Sequence, residues 1–213
     1  MAKLTHDDLV KLGLLLGYPL SPKGLCAGFS GMLMQAILAQ EEEQFWQRLK
    51  LIEYYKTDFT SLIRVMEEVK LKAKTKKLDE QDIEFLELLA FYEGIELYLQ
   101  PHNHQDVFDK RPVSQSYLND IYALTHSRKQ EHTNLRILLN KAYAFSHSRL
   151  INYLNDLETV LIDYPNLPIL IENSYHRILL KYNKNHAKKN WMFVDTNDFE
   201  AYPKLSSYYR ELT

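Results

Sequence analysis

Cysteine occurs once in the 213 residues, at Cys26. That excludes an internal disulfide framework and any cysteine-rich zinc module. Glycine and proline are also sparse, at 6 and 7 residues, so tight turns should be few and long helices favoured. Neither sign of charge dominates: 26 Lys and Arg stand against 28 Asp and Glu, a formal net charge of −2. A near-neutral chain offers no electrostatic case for binding nucleic acid. No apolar run approaches the ~20 residues that a membrane span needs. The opening MAKLTHDDLVKLG carries two acids and lacks the basic and apolar regions of a secretory signal. What is plentiful is tyrosine, at 15 residues, within a hydrophobic share of 46% that can build a sizeable core. The length suits one compact unit, or a main lobe with a subdomain.

Residues 3–17 read as an opening helix, with Thr5 as N-cap, Asp7 and Asp8 in the first turn and Gly17 as the stop. YPLSPKG must be irregular. A helix then starts near Cys26, where Phe29, Met32, Leu33, Ala36 and Ile37 form one apolar stripe at helical period. It is expected to extend over 26–56, with or without a break. From about Asp58 to Asp163 the strong patterns are helical, with Asp79 capping a helix that ends before Pro101. A loop PHNHQDVFDKRP follows, then SYLNDIYALTH and a long helical stretch from Thr133 to Asp163. The character changes at Pro165. NLPILIE is a short apolar run, and YHRILLKY and WMFVDTND flank the polar loop NKNHAKKN, which reads as an antiparallel hairpin. The expected fold class is α+β, a helical majority followed by a small antiparallel sheet, in a single domain 1–213.

Cys26 follows a Pro/Gly segment and opens an apolar helix. Its sulfur would lie near a helix N-terminus, where the macrodipole and free N–H groups favour a thiolate. Gly24 and Gly28 leave room for close backbone approach. The plainer reading is inert packing, since a lone cysteine is commonly buried. In Tyr175–Tyr182, alternation puts His176, Ile178, Leu180 and Tyr182 on one face. Pairing Tyr182 with Trp191 sets His176 opposite Asn197 and Ile178 opposite Asp195. Asp195 is then diagonal to His176 at roughly 7–8 Å between Cα atoms, within reach of the imidazole. A slip of one residue would break this arrangement. A histidine at a strand edge and an aspartate ending a strand are the plain alternatives.

Taken together, G-L-C-A-G-F-S opening a helix, S-Y-H starting a strand and W-M-F-V-D-T-N ending the next resemble the papain-like (clan CA) cysteine proteases. The pattern is most similar to the YopT-like group of bacterial secreted effectors. Asp195 stands 19 residues after His176, and the family's acid lies about twenty on. The resemblance implies a papain-like fold with an enlarged helical lobe: nucleophile helix 26–56, helical insert 57–163 and antiparallel sheet 165–198. A papain-like sheet normally continues beyond this point, which implies one domain of a longer protein.

The implied chemistry is thiol-dependent acyl transfer. Cys26 attacks a carbonyl, His176 acts as general acid and base, and Asp195 orients His176, with Asn197 as a competing orienter. The Cys26 backbone N–H supplies half of an oxyanion hole. The family places Gln or Asn a few residues before the nucleophile; residues 1–25 hold neither, so Ser21 or Tyr18 would substitute. Thr196 stands where the effectors usually have proline. The resemblance further implies no cofactor or metal, a peptide or other acyl bond in a host protein as substrate, and a bacterial cytoplasmic protein exported by a dedicated secretion system. The alternative function is a catalytically inactive papain-like module that binds a protein partner.

Other candidates favour bland readings. His102 and His104, with Asp106 and Asp109, could hold a metal on a loop but read as surface polarity. His126, His132 and His147 lack i, i+4 partners. Lys70, Lys72, Lys74, Lys76 and Lys77 precede Asp79, Glu80 and Asp82, which suits a solvated face of mixed charge.

Overall fold

The structure is a computed structural model and describes residues 4–21, 25–99, 121, 136–143, 146–164, 166–173, 175–182 and 191–197. The architecture is α+β, with six helices and one small antiparallel sheet among the described residues.

Helix α1 (His6–Leu15) begins at a reciprocal cap. The Thr5 hydroxyl accepts the Asp8 N–H at 3.2 Å while the Asp8 carboxylate accepts the Thr5 N–H at 2.9 Å. It ends ahead of Gly17, whose φ of +92° is a left-handed conformation that costs glycine little. Helix α2 (Leu25–Leu38) is buried on almost all sides, as a helix apolar all round must be. Gln40, at φ +59°, then turns the chain, and α3 (Glu42–Tyr55) starts afresh. The helical stretch expected over 26–56 is therefore broken into two helices, because a non-glycine residue adopts a left-handed turn.

Carboxylates start the next two helices. Asp58 caps α4 (Phe59–Ala73), accepting the Ser61 N–H at 3.1 Å and its hydroxyl at 2.6 Å. Asp79 and Asp82 exchange backbone-to-carboxylate bonds of 2.9 Å at the start of α5 (Glu80–Leu99). The lysine run is partnered in the manner of a mixed-charge face. Lys70 pairs with Glu67 at 2.6 Å, and Lys72 pairs with Asp79 at 3.1 Å and with Asp82.

The last helix, α6 (His147–Leu161), is shorter than the stretch from Thr133 suggested. Residues 136–143 are irregular, and Ile137, Leu138 and Leu139 are exposed. Ser146 takes an extended conformation and its hydroxyl accepts the Arg149 N–H at 3.4 Å. A serine that caps cannot also continue a helix, so α6 starts only after Ser146. His102, His104, Asp106, Asp109, His126 and His132 lie outside the described residues, as do Gly24 and the loop 183–190.

Strands β1 (Pro168–Glu172), β2 (Arg177–Tyr182) and β3 (Trp191–Val194) form an antiparallel sheet in that order. Tyr182 pairs with Trp191 and Leu179 with Val194, the register expected from the sequence. The sheet has two apolar faces. Leu170, Leu179, Met192 and Val194 join the main core with α2, whereas Leu180, Tyr182, Trp191 and Phe193 pack with Leu154 and Leu161 of α6. The Tyr182 hydroxyl donates to Glu158 of α6 at 3.0 Å, and Lys181 reaches Glu42 of α3 at 2.6 Å.

An aromatic chain runs through the main core. Phe45 meets Phe29 and Phe91 edge-on, at 5.1 and 5.6 Å between ring centroids, and Phe91 meets Tyr92 at 5.5 Å. Burying each such ring is worth about 1.5–3 kcal/mol, and edge-on contacts add to this. The same residues position α2 between α5 and the sheet.

Candidate active site

Three segments carry the candidate residues. The first is the N-terminal turn of α2. Cys26 is its second residue, 6% exposed. Backbone N–H groups there have no intrahelical acceptor, so the Cys26 amide is of the kind an oxyanion hole uses. The second is the turn between β1 and β2. Asn173 N–H donates to the His176 carbonyl at 3.0 Å, closing the hairpin. The Asn173 side-chain oxygen accepts the backbone N–H groups of Tyr175 at 2.8 Å and His176 at 2.9 Å. Sequence reasoning passed over Asn173. The available signal was an Asn beside a Ser after an apolar run, the composition of an Asx turn.

The third segment is the end of β3. Asp195 Oδ1 lies 2.9 Å from His176 Nε2 and also accepts the Asn197 backbone N–H at 2.8 Å. Both side chains of the pair are partly buried, 27% exposed for His176 and 18% for Asp195. A carboxylate only accepts, so Nε2 carries the proton and the Nδ1 lone pair is left to act as a base. Asn197, the rival orienter, meets the pair through its backbone.

The structure brings His176 and Asp195 together; Cys26 is not bonded to them. Among the described residues no hydrogen bond joins the Cys26 thiol to the imidazole. Arg177 continues the face of the sheet that packs on α2, and its Nη1 reaches the Ala27 carbonyl at 3.4 Å.

The two side chains expected to complete the oxyanion hole are placed as follows. The Tyr18 hydroxyl donates to the Leu89 carbonyl of α5 at 3.2 Å, and its ring stacks on Tyr92 at 5.9 Å. Burial, together with Glu93 and Glu96, pushes that phenol up to about 12. Its hydroxyl is thus turned to α5. Ser21 is partly buried at the end of the segment before α2. Gly28 also has a different use: a Cβ there would stand 2.2 Å from the Ile95 carbonyl.

Thr196, between Asp195 and Asn197, is 1% exposed and its hydroxyl has no hydrogen-bond partner among the described residues. Among the described residues no three His, Cys, Asp or Glu side chains gather where they could hold a metal ion, and no helix is long and apolar enough to cross a membrane. No family model, curated protein or solved structure matches the chain.

Proposed function

We propose that the chain is a thiol hydrolase or acyltransferase of papain-like type, with Cys26 as nucleophile, His176 as general base and acid, and Asp195 as orienter. The observation that carries the reading is the 2.9 Å bond from His176 Nε2 to Asp195 Oδ1, at the end of a sheet packed on the helix whose second residue is Cys26. That bond leaves Nδ1 as the proton acceptor. In the reaction Nδ1 takes the Cys26 proton, and the thiolate adds to an acyl carbon with the Cys26 amide on the developing oxyanion. The imidazolium then protonates the leaving group, and water or another nucleophile releases the acyl group from sulfur.

The papain-like fold, a substrate bond in a host protein, and export from a bacterium into a host cell rest on the motif resemblance and form part of the same proposal. The second reading is a catalytically silent module that binds a protein partner. It is favoured by the burial of Cys26 and by the absence, among the described residues, of a thiol–imidazole hydrogen bond. Alkylation of Cys26 by iodoacetamide across pH, wild type against His176→Ala, separates the two. A fast reaction below about pH 7 that the substitution abolishes supports the enzyme. Reactivity that rises only near an unperturbed thiol value of about 8.5 leaves the module.

A further inference from the structure

We infer that Arg177 is a positioning residue, which fastens the His176 turn to the first turn of α2 and so sets how far the imidazole stands from Cys26. This rests on the Cys26–His176 reading above. Arg177 is the neighbour of His176 and the first residue of β2. Its side chain lies on the α2 face of the sheet and makes contacts in two directions. Nε bonds Glu172 at 2.7 Å, Nη2 bonds the same carboxylate oxygen, and Nη1 reaches the carbonyl of Ala27 at 3.4 Å. Glu172 is the β1 residue paired with Arg177, so the carboxylate holds the guanidinium across the hairpin. Ala27 directly follows Cys26. The planar fork of a guanidinium can engage a carboxylate and a carbonyl together, which an ammonium cannot do with the same geometry.

The placement matters because, among the described residues, His176 itself makes no hydrogen bond to α2. Its imidazole is held by Asp195 and its backbone by Asn173. Both partners belong to the sheet end, so they fix His176 relative to the sheet and not relative to the thiol. Arg177 supplies that missing link, one residue from the imidazole and one from the cysteine. Sheet and helix also pack through Leu179 and Val194, but these lie further along the strands.

The test is the ratio of the Cys26 alkylation rate at about pH 6 to that at about pH 9.5, in wild type, Arg177→Met, Arg177→Lys, Glu172→Gln and His176→Ala. At high pH the thiolate forms without help, so general loosening of the fold moves both rates and leaves the ratio alone. A positioning role lowers the ratio roughly ten- to hundredfold in Arg177→Met, less in Glu172→Gln, and only partly less in Arg177→Lys. Circular dichroism checks that each variant is folded, and Glu172→Gln decides the matter if Arg177→Met is not. A wild-type reaction that depends on His176 at low pH, with the ratio unchanged in the folded Arg177 and Glu172 variants, overturns the inference while leaving the Cys26–His176 reading intact. A wild type with no His176-dependent reactivity at low pH sinks that reading, and the inference with it.

Discussion

Gly28 of α2 faces the backbone of α5 so closely that a Cβ would lie 2.2 Å from the Ile95 carbonyl and 2.8 Å from its Cγ2. One turn on, a Cβ at Gly31 would meet the Tyr98 ring at 2.6 Å. The two glycines let α2 and α5 approach at backbone distance, so Gly28, part of the segment that resembles a protease, has a packing reason to be there. Gly28→Ala must push a carbonyl aside, and we expect a loss of stability at or above the about 1–3 kcal/mol of an overpacked core. Chemical denaturation would show a lower midpoint at an unchanged slope. A neutral substitution would mean that the helices are further apart than described.

The His176–Asp195 bond predicts a tautomer. With Nε2–H donating to the carboxylate, the neutral ring should carry its proton on Nε2 in nearly every molecule. Nitrogen-15 NMR of the histidine side chains reads this directly, with His176→Asn to assign the signal. Asp195→Ala should leave a mixture of tautomers and slow low-pH alkylation of Cys26 by roughly ten- to hundredfold, the worth of one hydrogen bond to a charged group. A ring protonated mainly on Nδ1 in the wild type would remove His176 as the base in the proposed chemistry.

What could be read from the sequence was local or set by parity. Thr5 and Asp79 cap their helices as their positions suggested, because a cap is decided within four residues. The pairing of Tyr182 with Trp191 followed from alternation on both sides of a polar loop, and with it came the approach of Asp195 to His176. Parity groups residues on one face but does not say which helix that face meets. Both faces of this sheet are apolar, so nothing in the pattern told that the face carrying Arg177 and Leu179 would be the one that meets α2. Gln40 and the stretch 136–143 escaped for a related reason: their conformations answer to tertiary surroundings and not to periodicity.

The cap carboxylates should leave a mark in acid. Asp58 is held below the ordinary carboxylate value, first by the Ser61 hydroxyl and then by its N–H. Asp79 is held low first by the Asp82 N–H and then by Lys72. A group whose value is lowered in the folded state stabilises that state fully above its unfolded value, about 3.9 for aspartate, and loses the contribution as pH falls through the lowered value. Asp58→Asn keeps a capping oxygen but cannot titrate. Its stability curve should therefore be flatter than wild type below about pH 4 and run parallel to it near neutrality. Parallel curves throughout would show that Asp58 titrates alike in both states.

Thr196 offers the sharpest test of the sheet end. Its hydroxyl is buried without a partner among the described residues, a cost of about 1–3 kcal/mol relative to a satisfied or solvated group. Thr196→Val keeps the branched shape and removes the oxygen, so we expect the protein to gain on the order of 1 kcal/mol and to unfold a few degrees higher. Because the imidazole is held by the neighbouring Asp195, the substitution should leave the His176 tautomer as it was. A Thr196→Val protein that is less stable than wild type would mean that the hydroxyl is hydrogen-bonded after all. A stabilised protein in which the tautomer changes would instead show that Thr196 helps to shape the turn carrying Asp195.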